Sequence, residues 1–240
     1  MRARIVVSPA PLITLEGDVL SPRILSASSP GTAQVALVGT QMVLLAGDSI
    51  GIDIVVGAGC TLEIVEPVGT VAYGGDGDSE WDISIEIADG GTLIWQGQPF
   101  VISDDARVRR STRVKLGTHA RLLQREILTF GRSGQRGGDL VSKFHASSSS
   151  TDGEPLLIED LDLSRGRRGR VGVLSENRVL DSIIALGWRP TAKIPTDLAA
   201  FDLAEPGTMV RRLGSDHDHR PMDTCWQAWY HELVAAPQPN

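Results

Sequence analysis

The chain has 240 residues, of which 22% are charged and 41% are hydrophobic, and its formal net charge is -7. This diffuse negative charge argues against a broad nucleic-acid interface, and the two cysteines, Cys60 and Cys225, are too few for a disulfide framework. No segment approaches the roughly 20 apolar residues of a membrane helix, and the apolar run after Met1 is too short for a signal peptide. We therefore expect a cytoplasmic protein that binds neither nucleic acid nor membrane.

A strand–corner–strand pattern recurs three times in the first half of the chain. The copies are IVVGAGCTLEI (54–64), IEIADGGTLIW (85–95) and VKLGTHARLLQ (114–124). Each copy resumes after its corner with Leu62, Leu93 or Leu122, at offsets of 31 and 29 residues. The alternation before the corners is clearest at Ile50, Ile52, Ile54 and Val56, and at Trp81, Ile83, Ile85 and Ile87. Alternation predicts strands, and a recurrence of this length predicts stacked units, so we predict a mainly β fold with β-helix-like stacked sheets.

The glycines of the first corner, Gly57 and Gly59, do not form a dinucleotide-binding loop. The third glycine of such a loop would fall at Leu62, and no helical pattern follows. Glycine and polar residues at the corners instead allow a positive φ where the chain turns.

The last third of the chain shows different patterns. After a polar loop at 146–155, residues 156–163 predict a strand, and the arginine-rich segment 164–170 is typical of a solvated loop, with an anion or partner site as the alternative. Residues 176–187 carry apolar side chains at helical spacing, with Gly187 in the place of a C-cap, and predict a helix.

A final helix is predicted from Asp223 as its N-cap and from one apolar stripe. The stripe consists of Trp226, Trp229, Tyr230 and Leu233. Its two tryptophans either dock on the protein's own core or form a groove for a partner. We thus expect one domain over 1–240, with a β-rich core at about 30–165 and a small helical C-terminal part at about 170–240.

The common catalytic signatures are absent from the sequence: no Walker A loop, no GxSxG and no HExxH. The adjacent acids Asp104-Asp105 and Glu159-Asp160 are expected to be solvated. In the segment 215–223, His217 and His219 would point the same way in an extended backbone, and imidazole suits nickel, copper and zinc. This segment is either a solvated loop or a place of transient metal contact.

Several short motifs follow one another in an order that has a known counterpart. They are Leu44, Gly47 and Asp48, the turn at Gly57-Ala58, Thr70 and Tyr73, Gln98-Pro99, the stretch from Asp105 to Arg107, Glu126, Gly131-Arg132, Gly138-Asp139 and LGWRP at 186–190. Over about residues 30–235 this order resembles the urease accessory protein family UreD, called UreH in some lineages, and its actinobacterial branch in particular. The chain differs at Val71-Ala72, where many relatives carry a lysine, at Gly97, in place of proline, and at Asp139, in place of glutamate.

The resemblance implies a cytoplasmic protein without enzymatic activity that helps to activate nickel-dependent urease. The implied partners are apo-urease and the accessory proteins UreF and UreG, and the implied fold is a β-helix-like stack with a small helical part. No cofactor is expected to bind tightly, because nickel would be in transit.

Candidate residues follow from this resemblance and from their positions near the motifs. The candidates for a nickel path are Glu63, Glu66, Glu126, Asp139, His217 and His219, and those for partner contact are Tyr73, Arg132, Trp226 and Trp229. Two other readings remain open: a metal-dependent hydrolase that uses His217 and His219, and a pure protein-interaction module.

Overall fold

The computed structural model describes residues 1–9, 12–17, 19–29, 31–39, 43–149, 153–215 and 219–235. The strands are β1 (Arg2–Ser8), β2 (Leu12–Glu16), β3 (Leu20–Ser29), β4 (Thr32–Gly39), β5 (Val43–Leu44), β6 (Ser49–Val56), β7 (Thr61–Val65), β8 (Thr70–Ala72), β9 (Ser79–Ile87), β10 (Thr92–Ile102), β11 (Arg107–Leu116), β12 (Arg121–Phe130), β13 (Asp139–Ser148), β14 (Pro155–Asp162), β15 (Val179–Leu186), β16 (Ala199–Asp202) and β17 (Gly207–Gly214). The helices are α1 (Arg165–Arg168) and α2 (Arg220–Ala235).

The strands form two sheets with an apolar core between them. The first sheet has the order β14-β13-β11-β9-β6-β1-β2, and the second has the order β16-β17-β15-β12-β10-β7-β4-β3, with β8 beside β10 and β5 beside β8. From β6 to β13 the chain passes back and forth between the two sheets, and strands of the same sheet lie parallel to one another. The prediction of β-helix-like stacked sheets is confirmed.

The recurring leucines are neighbours in the second sheet. Leu93 on β10 pairs in register with Leu62 on β7 and with Leu122 on β12, and all three are fully buried. The apolar positions before the corners also align, as Ile54 does with Ile85. The repeat is therefore real, and each coil buries its side chains against the same positions of the next coil.

The corners themselves stack along the repeat. Gly59, Gly90 and His119 have φ angles of 64°, 66° and 56°, and each is the third residue of a turn closed by a backbone hydrogen bond. That geometry is typical of a type II turn, which requires positive φ at its third position. The Gly59 N–H donates to the Asp89 carbonyl at 3.0 Å, and the Gly90 N–H donates to the Thr118 carbonyl at 2.9 Å. These bonds join successive corners.

Residues 179–186, predicted as part of a helix, form β15 instead. This strand lies between β12 and β17, antiparallel to both, and all of its residues are buried. Leu180 and Ile184 face the core between the sheets, whereas Ile183 packs in the cluster under α2. Because both faces are covered, β15 is a continuous apolar run that fits helical spacing equally well. The helix prediction is wrong, and Gly187, with a φ of 76°, follows a strand.

The final helix is confirmed but begins earlier than predicted. α2 starts at Arg220, so Asp223 lies inside the first turn and is not the N-cap. Its carboxylate accepts a hydrogen bond from Arg125 at 2.6 Å. The predicted helical part at about 170–240 also contains β15, β16 and β17, and the strands begin at Arg2, well before residue 30.

The arginine-rich segment 164–170 is not a freely solvated loop. It contains α1, and the guanidinium of Arg168 donates to the Gly137 carbonyl at 2.8 Å and stacks 4.7 Å from the centroid of the Phe130 ring. Arg165 donates to the same carbonyl at 2.9 Å. These two arginines hold the glycine-rich turn between β12 and β13, so the prediction of a solvated loop is wrong for them.

The adjacent acids that were expected to be solvated, Glu159-Asp160 and Asp104-Asp105, differ in exposure and in their hydrogen-bond partners. Glu159 is half-buried and accepts two hydrogen bonds from Arg211, at 2.7 and 2.8 Å, whereas Asp160 faces outward and lies 2.7 Å from His145. Asp104 accepts a hydrogen bond from the Gly137 N–H at 2.7 Å. Neighbours in a strand thus point to opposite faces, as expected, but Glu159 is a half-buried, ion-paired residue rather than a solvated acid.

Candidate functional site

Glu66 lies just after the end of β7 and carries a carboxylate held by two donors. The indole N–H of Trp95 donates to Oε1 at 2.7 Å, and the backbone N–H of Gln98 donates to Oε2 at 3.0 Å. Both donors come from β10, which places the carboxylate at the second sheet's inner side rather than in bulk solvent.

A bulge in β10 makes this arrangement possible. The pairing of β10 with β12 shifts between Gln96 and Pro99, so the Gln98 N–H is released from the ladder and can reach Glu66. Gly97 sits in the bulge, where an added Cβ would lie 2.6 Å from the Arg125 carbonyl oxygen. Only glycine allows the two backbones to approach this closely.

The opposite sheet contributes Arg110, whose side chain points inward from β11. Its guanidinium pairs with Glu126 of β12 at 2.7 Å and lies 5.1 Å from the centroid of the Phe100 ring. The Phe100 ring meets Trp81 edge-on, with 5.4 Å between the ring centroids. A charged pair therefore bridges the two sheets next to the aromatic rings of Phe100 and Trp81.

Glu66 and Glu126 line the same small cavity, which has room for about 20 Å³ of solvent. Its wall consists of Glu66, Thr70, Trp81, Trp95, Gly97, Gln98, Phe100, Arg110, Gln124, Arg125, Glu126 and Ile127. Two buried atoms in this wall, Trp81 Nε1 and Gln124 Oε1, have no hydrogen-bond partner among the described residues. A cavity of this volume holds about one water molecule, and polar atoms left without partners favour its presence.

The surroundings of the cavity shift the pKa of Glu66 in opposite directions. Burial raises the pKa of the Glu66 carboxyl, while hydrogen bonds from Gln98 and Trp95 and the charge of Arg110 act to lower that pKa. The nearby charge of Glu126 raises it again. The charged residues of the wall are thus two glutamates and two arginines: Arg110 pairs with Glu126, and Arg125 pairs with Asp181 and Asp223.

The other carboxylate candidates lie elsewhere. Glu63 is on β7 and accepts a hydrogen bond at 3.4 Å from the hydroxyl of Tyr230, which belongs to α2. Asp139, at the start of β13, accepts a hydrogen bond from the Arg165 N–H at 2.6 Å and lines a groove with outward-facing residues of the first sheet. The structure thus brings together Glu66 and Glu126, and neither Glu63 nor Asp139 lines their cavity.

Of the two candidate histidines, His217 lies outside the described residues. His219 precedes α2, and its Nδ1 is 2.9 Å from Asp181 of β15. Asp181 also accepts two hydrogen bonds from Arg125, at 2.8 and 3.0 Å. Within the described ranges, no three His, Cys, Asp or Glu side chains are grouped closely enough to hold a metal ion.

Tyr73 and Arg132, two candidates for partner contact, meet although they are 59 residues apart. Arg132 Nη1 donates to the Tyr73 hydroxyl at 3.2 Å, and the guanidinium lies 5.9 Å from the ring centroid. Arg132 is exposed, so this pair is accessible at the surface.

Trp226 and Trp229 occupy a different environment. Both are buried on the inner face of α2, and Trp229 meets Trp188 edge-on at 6.5 Å between centroids. They pack on the second sheet together with Ile183 and Leu233. The structure places these tryptophans in the protein's own core, the first of the two alternatives given by the sequence, and not on a surface open to a partner.

Arg110, Gln124 and Trp81 belong to the cavity but were missed by the sequence reasoning. A signal for Arg110 exists, because it shares the inward parity of Val108 and Thr112 along β11. A charge at an inward position of a strand normally has a buried partner. Which residue supplies that partner depends on the opposite sheet, and the pattern of β11 alone does not contain it.

The fold and site therefore define a class of protein: a solenoid of two stacked sheets that encloses a small polar cavity and is covered on one side by a helix. The family model described as UreD urease accessory protein matches residues 21–240, and the chain belongs to this family. Among the described residues, no helix has the length and apolar character needed to span a bilayer.

Relatives from several actinobacteria are similar to the chain. Urease accessory protein UreD 1 of Streptomyces griseus is 45% identical over 185 residues, which cover 76% of this chain and 71% of the relative. Urease accessory proteins UreD of a Parafrankia species and of Frankia alni are 32% and 33% identical over 208 residues each, covering 76% and 77% of this chain and 70% of each relative.

Proposed function

We propose that this protein is a scaffold for urease maturation that binds apo-urease together with UreF and UreG and helps to deliver nickel to the urease active site. Its setting is the cytoplasm, and it catalyses no reaction of its own. Membership of the UreD family supports the role in urease maturation. The stacked coils supply a rigid body, which suits a scaffold.

The proposal that the protein is not an enzyme agrees with the state of its two cysteines. Cys60 and Cys225 are both buried, and burial raises the pKa of the Cys225 thiol to about 11. A thiol with such a pKa is almost entirely protonated at neutral pH and is a poor nucleophile.

The observation that carries the nickel step is the cavity shared by Glu66 and Glu126. A relay has to release its cargo, and a site with a Kd of ~10⁻⁹ M and an on-rate of ~10⁷ M⁻¹s⁻¹ would empty at only ~10⁻² s⁻¹. Carboxylates hold nickel less strongly than imidazole or thiolate does. Two carboxylates, opposed by the charge of Arg110, provide the weak and transient contact that such a step requires.

The test compares Glu66→Gln with Glu63→Gln in the full chain, co-expressed with urease and the other accessory proteins. Glu63 lies on β7 and Glu66 just after its end, so the two are close in sequence, but Glu63 does not line the cavity. We expect both variants to co-purify with UreF and UreG, whereas Glu66→Gln lowers the nickel content and activity of urease several-fold. Equal nickel loading with both variants would contradict a role of the cavity in delivery.

A second candidate function is a pure interaction module without a metal role. It is favoured by the absence, within the described part of the chain, of any group of three metal-ligating side chains. The same experiment separates the two, because an interaction module would tolerate Glu66→Gln but would lose complex formation when its docking surface is altered. A chain that neither co-purifies with the accessory proteins nor affects urease would contradict both.

A further inference from the structure

A second pocket lies where β12 ends and the glycine-rich turn toward β13 begins. It is lined by Thr129, Arg132, Ser133, Arg178, Val179 and Ser215, and its volume is about 250 Å³. Every lining residue except Val179 has a polar or charged side chain. Pockets for drug-sized ligands measure roughly 300–1,000 Å³, so this pocket fits a single small group better than a nucleoside. We call it the Arg132–Arg178 pocket.

The local backbone fixes both arginines at this pocket. Arg178 donates through Nε to the Phe130 carbonyl and through Nη2 to the carbonyls of Gly131 and Arg132, all at 3.0 Å. Gly131 has a φ of 77°, a conformation that L side chains rarely adopt, so the chain can fold back over the guanidinium. Arg178 thereby holds the turn that carries Arg132 at the rim.

Among the residues that the structure describes, neither guanidinium is paired with a carboxylate. No carboxylate among the described residues lies within 4.0 Å of Arg132 or Arg178, whereas Arg110, Arg125 and Arg211 each have such a partner. The protein as a whole carries a formal net charge of -7. Two arginines that have no acidic partner within the described ranges therefore give this pocket a local positive potential in an acidic molecule.

The wall of the pocket also contains an unsatisfied hydroxyl. Thr129 is 2% exposed, and within the described part of the chain its Oγ1 has no hydrogen-bond partner. Buried hydroxyls in native proteins are normally satisfied by protein, water or ligand. Thr129 lines the pocket together with both arginines, and a hydroxyl and guanidiniums can together recognise the oxygens of an anion through charge-assisted hydrogen bonds.

We propose that the Arg132–Arg178 pocket binds a small oxyanion, a phosphate or carboxylate group, held by the two guanidiniums and the Thr129 hydroxyl. The site is separate from the cavity of Glu66 and Glu126 and does not depend on the proposed function. The anion would accept hydrogen bonds from the Arg132 guanidinium, which otherwise donates one to the Tyr73 hydroxyl.

The test titrates the purified full chain with inorganic phosphate at constant ionic strength, followed by calorimetry and by the NMR signals of the arginine side chains. We expect one saturable site. Removing one charge-assisted contact with Arg132→Gln should weaken binding by about ten-fold or more. Thr129→Val, which keeps the side-chain shape, should also weaken binding without lowering the free energy of unfolding, because the hydroxyl has no protein partner to lose.

Arg136→Gln is the matched control. Arg136 is an exposed arginine of the same turn, but it lines a different pocket with Asp104, Asp105, Arg165 and Arg168. Its substitution should change the affinity by no more than about two-fold. An absence of saturable binding, or an equal loss with Arg132→Gln and Arg136→Gln, would overturn the proposal by reducing it to general attraction to a basic turn.

A second titration, with acetate under the same conditions, distinguishes a phosphate site from a carboxylate site. Tighter binding of phosphate would assign the site to a phosphate group, and tighter binding of acetate would assign it to a carboxylate, such as an acidic side chain or a chain terminus. Saturable binding of both anions that is weakened in Thr129→Val supports the shared oxyanion chemistry.

Discussion

The coils, from β6 to β12, and the cap, formed by β15, β17 and α2, are built in two different ways, although the strands of the cap continue the second sheet of the coils. In the coils, strands are parallel, and each buried side chain packs against the residue one repeat away, as Leu62, Leu93 and Leu122 do. In the cap, strands are antiparallel, and one face of the sheet is closed by a helix. The coils are thus built by repetition, whereas the cap has no repeat to follow.

Polar contacts differ between the two regions in the same way. The corners of the coils are joined by backbone hydrogen bonds that recur from turn to turn. The cap contains a network that does not recur, in which Arg125 and Asp181, which are 56 residues apart, form a buried ion pair that Asp223 and His219 complete. The comparison teaches that stability in the coils is spread over many similar contacts, while stability in the cap depends on a few particular ones.

The largest expected effect is at the centre of the coils. Leu93→Asp would bury a carboxylate with no cation opposite it, between Leu62 and Leu122, and should lower the free energy of unfolding by about 3–5 kcal/mol. Chemical denaturation measures this loss. The control is Val141→Asp, the same kind of change in a strand but at a side chain that is 40% exposed, where we expect a change within about 0.5 kcal/mol. Equal effects would mean that the leucine row is not a core.

The next effect is in the cap. Asp181→Asn leaves the buried guanidinium of Arg125 with Asp223 as its remaining carboxylate partner, so we expect a loss of about 3 kcal/mol, at the low end for a broken buried pair. Hydrogen exchange should show the loss first in the amides of α2, while those of the coils stay protected.

The exposed pair of Arg2 and Asp53 provides the control for that prediction. The Arg2 side chain is 60% exposed, so Asp53→Asn should cost less than about 1 kcal/mol. If Asp181→Asn costs no more than this control, or if protection is lost evenly over both sheets, the cap is not held by its ion network and the contrast between the two regions fails.

The same contrast explains what the sequence predicted. The coils could be predicted because their contacts recur along the sequence. The leucines that recur there, Leu62, Leu93 and Leu122, are the residues that pair in register in the folded sheet. The strand β15 could not be predicted, because burial on both faces removes the alternation of apolar and polar residues that distinguishes a strand from a helix. In the candidate site, Glu66 and Glu126 were named from motifs, but their common cavity depends on how two sheets face each other.

The smallest expected effect concerns how the unfolding free energy depends on pH. A carboxyl group in the coils and one in the cap should contribute to this dependence with opposite signs. In the coils, burial raises the pKa of Glu66, and the resulting stability is present below the ordinary glutamate pKa and is lost as the pH rises through the raised value. In the cap, burial acts to raise the pKa of Glu232, but hydrogen bonds from Thr191 and Ala192 outweigh it and leave that pKa below its ordinary value. Its stabilisation is present above the ordinary pKa and is lost as the pH falls.

These signs can be measured by denaturing the protein, Glu66→Gln and Glu232→Gln at a series of values between about pH 3 and 7. The unfolding free energy of the unsubstituted protein minus that of Glu66→Gln should decrease as the pH rises, whereas the same difference for Glu232→Gln should increase. Each substitution also changes hydrogen bonds, but that contribution is the same at every pH, so the slope isolates the ionisation. Slopes of the same sign would show that the Glu66 carboxyl is not enclosed between the sheets, and the cavity it shares with Glu126 would then have to be open to solvent.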